Sequence, residues 1–101
     1  MRYLAHLTFP HEPFNSFVRD GSAGQKIGRI LEETKPESIY FTEHDGQRGA
    51  TAIYEISNPS GIPAVAEPWF LLLEADVELR VAMTPDDLMQ SGLDEMGKRW
   101  G

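Results

Sequence analysis

Among the 101 residues, the groups with the types and spacing to do chemistry lie mostly on predicted strands. His6 sits in Leu4-Ala5-His6-Leu7-Thr8, where alternation puts it on one side with Leu4 and Thr8. Glu55, Glu78 and Arg80 hold the matching phase in two other predicted strands, and Tyr40 does so in a third. If those strands flank the one bearing His6, an imidazole meets a carboxylate and a guanidinium, the parts of a general base beside an anion clamp. In that reading His6 is the base, Arg80 or Arg48 holds an anion, and Tyr40 and Glu55 orient the bound group. The same groups also read as a buried salt-bridged network that fixes a dimer register and catalyses nothing.

Other candidates sit outside this constellation. Arg48 falls in a loop between glycines, Gly46-Gln47-Arg48-Gly49, from which it could reach over the mouth of a site or simply face solvent. Trp69 and Phe70 could form the apolar wall of a ligand pocket, or serve as core or interface packing. His6, His11 and His44 lack HxH or HxxxH spacing, so a metal site is not expected and no cofactor is implied. Gly21, Gly24 and Gly28 do not form a phosphate loop. They share one face of a helical pattern and are expected to let that helix approach the sheet closely.

The elements that must position these groups follow from periodicity. Residues 3–9 read as a strand ending at Pro10, and Pro13 opens a helical pattern running to about 34, either continuous or broken at Asp20-Gly21. Ile39–Thr42 and Ala50–Ile56 form a hairpin around His44–Gly49. Ser57-Asn58-Pro59 starts a second helix, expected to kink or restart at Glu67-Pro68. A last strand covers about 77–83, and Thr84-Pro85-Asp86-Asp87 starts a short terminal helix ending near Gly92. The order β-α-β-β-α-β is that of a ferredoxin-like α+β domain over residues 1–101: a four-stranded antiparallel sheet, ordered 4-1-3-2, with helices on one face.

Alternation divides the strands into two faces. Ala5, Leu7, Phe9, Ile39, Phe41, Ala50, Ala52, Tyr54, Ile56, Leu79, Val81 and Met83 form an apolar set that should lie under the helices. Leu4, His6, Thr8, Tyr40, Thr42, Thr51, Ile53, Glu55, Glu78 and Arg80 form a mixed set, too polar for a dry core. Trp69-Phe70-Leu71-Leu72-Leu73 is more apolar surface than one helix face can bury, so part of it should meet another surface. Both features suit a homodimer, the commonest closed assembly.

Sixteen acidic against nine basic side chains leave a net charge of −7, which argues against broad binding to nucleic acid or an anionic membrane. The central strands also lack the basic aromatic motif of a ferredoxin-like RNA binder. No apolar run approaches the roughly 20 residues that span a bilayer. With no cysteine, thiolate chemistry, disulfides and Cys-ligated zinc are excluded. The first residues make a poor signal peptide, so the expected location is cytoplasmic.

Lys35-Pro36-Glu37-Ser38-Ile39-Tyr40-Phe41-Thr42, Gly46-Gln47-Arg48-Gly49, Ile62–Leu71 with its Ala66-Glu67-Pro68-Trp69-Phe70 run, and Met83–Leu88 together resemble an uncharacterised bacterial protein family. The resemblance covers nearly the whole chain. It implies a dimeric α+β barrel, shared distantly with muconolactone isomerases, antibiotic-biosynthesis monooxygenases and YCII-related proteins, and it implies no activity. The functional expectation is binding of a small, partly apolar organic molecule in a barrel or helix–sheet pocket, with cofactor-free conversion left open. The alternative is a non-catalytic homodimeric assembly or regulatory module.

Overall fold

Strand β1 (Arg2–Phe9) lies at the centre of the fold in the computed structural model, which describes residues 1–101. It pairs antiparallel with β3 (Gln47–Glu55) on one side and β4 (Asp76–Val81) on the other. Strand β2 (Ser38–His44) pairs with the outer side of β3, giving the order β2-β3-β1-β4. The topology is that of an open, four-stranded antiparallel sheet in an α+β domain, compatible with the ferredoxin-like arrangement expected from the strand and helix order.

Helices α1 (His11–Asp20), α2 (Ala23–Thr34) and α3 (Ile62–Leu73) supply the other half of the core. Tyr3, Ala5, Leu7, Phe9, Ala50, Ala52 and Tyr54 from one side of the sheet are buried with Phe14, Ile30, Val65, Trp69 and Leu73 from the helices. The expected apolar face is therefore the covered one. Phe41 and Val81, at the sheet margins, and Met83, past the end of β4, are the exceptions and stay exposed.

Several local expectations resolve on physical grounds. The first helical pattern is broken, not continuous. Gly21 adopts φ +83°, and the amides of Gly21 and Ser22 close back on Val18 and Phe17 to end α1. The break resets the helical phase, so α2 buries Ile30 and packs Ile27 and Leu31 against the core. Gly24 and Gly28 consequently face solvent with open space where a Cβ would stand, and they do not bring the helix close to the sheet. Pro68 lies inside a continuous α3 instead of restarting it. The residue whose carbonyl loses its partner, Ala64, is exposed, so water can satisfy that group.

The hairpin is tighter than expected. Strands β2 and β3 run to His44 and Gln47 and are joined by Asp45-Gly46, both at positive φ, as a two-residue turn requires. Beyond β4, the single expected helix is two: α4 (Pro85–Met89) and α5 (Leu93–Trp100). Thr84 and Asp87 form a reciprocal capping box at the start of α4. Neither helix buries a residue. They form an arm that stretches the molecule to 60 × 28 × 18 Å and its radius of gyration to 17.1 Å, against about 13 Å for a compact chain of this size.

No helix is long and apolar enough to cross a membrane.

Candidate functional site on the open sheet face

The sheet face away from the helices carries every residue of the mixed set. His6 pairs across the ladder with Thr51 on β3 and with Glu78 on β4, and Thr51 in turn pairs with Tyr40 on β2. His6, Glu78 and Tyr40 thus share one rung. On the next rung of the same face Leu4 pairs with Ile53 and with Arg80, giving an apolar step beside the imidazole.

One neighbour of His6 lay beyond the reach of spacing. The His44 ring meets the His6 ring edge-on, with centroids 4.8 Å apart and planes at 86°. Two features make this possible. The two-residue turn extends β2 as far as His44, and the residue between the two strands at this level, Gly49, has no side chain. A Cβ there would stand 2.8 Å from the Leu7 carbonyl oxygen and 3.6 Å from His44 Cβ. Glycine keeps that space clear for the imidazole.

The two rings border an open hollow of about 500 Å³, lined also by Thr8, Asp45, Gln47, Asp76, Val77 and Glu78. Its polar character comes from three carboxylates and two imidazoles. Thr51 Oγ1 lies 3.4 Å from His6 Nδ1, and His44 Nε2 lies 3.5 Å from Asp45 Oδ2. No third His, Asp or Glu closes on these two rings as a metal-ligand set. The chemistry offered is hydrogen bonding and proton acceptance in a field that favours a cation or a strong donor.

The other candidates are placed elsewhere. Arg80 lies on the open face but its guanidinium is paired with Glu78. Glu55 shares that face yet stands opposite Arg2, four rungs from His6, about 13 Å at roughly 3.3 Å per residue. It pairs with the Met1 ammonium at 2.8 Å, next to the Arg2–Glu37 pair at 3.0 Å. That pairing with Glu37 holds the Arg2 guanidinium above its ordinary pKa. Tyr40 remains on the rung, largely exposed.

Arg48 is not a loop residue and does not approach the hollow. It belongs to β3, and its phase points it to the helix side, where Nη1 donates to Asn15 Oδ1 at 2.8 Å and the guanidinium lies 4.6 Å from the Phe14 ring centre. Trp69 is no pocket wall: it is fully buried, donates from Nε1 to the Tyr54 hydroxyl at 3.3 Å, and packs against Phe9. Phe70 is partly exposed in a shallow groove between α3 and β4, with Ile62, Val77 and Leu79.

No protein-family model matches the sequence, and no curated protein matches it.

Proposed function

We propose that the protein is a homodimeric binder of a small organic molecule, with two open sheet faces paired into an α+β barrel around the His6–His44 hollow. The observation that carries this reading is the meeting of the two imidazoles beside Glu78 and Asp76 on a face left uncovered by its own helices. Leu4 and Ile53 extend that floor with apolar surface, and the carboxylates favour an amine or another strong donor. The ligand class is therefore a small amine with an apolar portion. His6 is positioned to accept a hydrogen bond from it, and His44 and Thr51 to fix the His6 ring. In this reading the chain assembles as the dimeric α+β barrel proteins do, as its sequence resemblance implies.

An assembly role without a ligand is favoured by a separate observation: Arg80 is engaged by Glu78 and Arg48 lies on the opposite face, so neither expected anion holder serves the hollow.

Native mass spectrometry on gently purified protein, followed by amide NMR titration with benzylamine and butylamine, tests the proposal. The expected result is a dimer whose His6, His44 and Glu78 resonances move on titration. His6→Ala should abolish those movements and leave the dimer intact. A monomer, or a dimer whose hollow ignores both amines, would overturn the ligand-binding reading.

A further inference from the structure

The C-terminal arm presents an apolar face with nothing against it. Every residue from Pro85 to Gly101 is exposed, yet α5 places Leu93, Met96 and Trp100 in one stripe, at spacings of three and four. Trp100 is 80% exposed. A helix of eight residues does not hold itself together in water, so this one needs a surface to lie on.

The helix side of the domain offers one of complementary charge. Between α2 and α3 runs an open groove of about 510 Å³, in which Leu71 is 79% exposed and Arg29, Glu33 and Glu67 carry charge. Helix α5 has the complementary pattern: Asp94 and Glu95 in its first turn, Lys98 and Arg99 in its last. Laid along the groove, its basic end meets Glu33 and Glu67, and its acidic end can meet Arg29. The arm extends away from its own domain, more than doubling the long dimension relative to the next. It leaves β4 at Ala82, whose amide bonds the Arg2 carbonyl, at the end of the sheet remote from the His6 hollow.

We propose that residues 84–101 dock on a second copy of this chain, with Leu93, Met96 and Trp100 seated in that copy's α2–α3 groove beside Leu71. The inference rests on the self-association proposed above but uses a different surface. Each protomer gives one arm and receives one, so the contact is reciprocal and closes at two copies.

The absence of cysteine makes the test direct. Ala64→Cys, in the groove, and Gly97→Cys, on α5 between Met96 and Trp100 with open space for a side chain, are made in separate full-length chains, mixed and mildly oxidised. The expected product is a mixed disulfide dimer, in excess of either self-pair and reduced severalfold by Trp100→Asp. No mixed dimer overturns the proposal. So does a double variant that cross-links within one chain at high dilution, because the arm then folds back on its own groove.

Sedimentation equilibrium of Leu4→Asp, on the open sheet face, separates the two readings. If Leu4→Asp yields monomers and the mixed disulfide fails to form in the otherwise wild-type chains, sheet pairing stands and arm docking falls. If the disulfide forms and Leu4→Asp leaves association unchanged, the arm docks and sheet pairing falls.

Discussion

His44 stands edge-on to His6 with ring centres 4.8 Å apart, although they lie on strands that do not touch, with β3 between them. The relationship depends on Gly49. Gly49→Ala introduces a Cβ only 2.8 Å from a backbone oxygen of β1, which cannot swing aside as a side chain would. We expect a loss of about 1–3 kcal/mol, the usual cost of overpacking, read as a lower denaturant midpoint. The nuclear Overhauser contacts between the two imidazoles should disappear in the same variant. Their persistence at unchanged stability would mean that the gap does not set the ring pair.

A second prediction concerns the hydroxyl of Tyr54, which takes the Trp69 Nε1–H and lies 2.7 Å from Thr34 Oγ1. Tyr54→Phe leaves a buried indole N–H without a partner and should cost about 1–3 kcal/mol. Trp69→Ala removes the largest fully buried side chain and should cost about 3–5 kcal/mol. Denaturation in urea measures both, and a tryptophan variant as stable as the parent would contradict the described core.

Gly28 lies in the interior of α2 and Gly24 in its first turn, both with open space at the Cβ position. Replacing either with alanine should stabilise the domain by roughly 0.5–1 kcal/mol, because glycine gives up more backbone freedom on folding. An increase in melting temperature checks this. A decrease would show that their surface is covered in solution.

The caps at Asp20 and Asp87 make a pH prediction. Each carboxyl is held below its ordinary pKa, Asp20 by hydrogen bonds from Ser22 and Asp87 by hydrogen bonds from Thr84. A lowered folded-state pKa means the stabilisation is present above the ordinary carboxylate range and is lost as pH falls through the folded value. Amide exchange across residues 85–89, taken relative to the intrinsic rate at each pH, should therefore speed up on acidification below about pH 4. Asp87→Asn should make that exchange fast already at neutral pH and flatten its response to acid.

Much of the fold was legible because it rests on two periodicities. Alternation placed Ala5, Leu7 and Ala52 on one side and His6, Thr51 and Glu78 on the other, and the sheet keeps that partition. Strand order followed from element order. What could not be read was register and the ends of strands. Glu55 has the right phase to face with His6, but pairing alone puts it opposite Arg2. Taking the hairpin loop as six residues left Arg48 without a face, whereas the Asp45-Gly46 turn gives it one, toward Asn15 and Phe14. The same turn brings His44 into the site, a consequence of tertiary geometry with no signature in histidine spacing. Helix α5 did have a signal, since Leu93, Met96 and Trp100 follow Gly92 with acids first and bases last.

The central position of β1 also constrains when this fold can form during synthesis. Its two neighbours, β3 and β4, come from the middle and the later part of the chain, and the pairing of Tyr3 with Val81 spans most of the sequence. The strand translated first is therefore completed last. At about 5–20 residues per second, it waits on the order of several seconds, one backbone edge unpaired, until β4 has been made. Over that interval the nascent chain offers the unpaired backbone edge of β1 to whatever chaperone is at hand, and it cannot finish its sheet by folding piecemeal from the N-terminus.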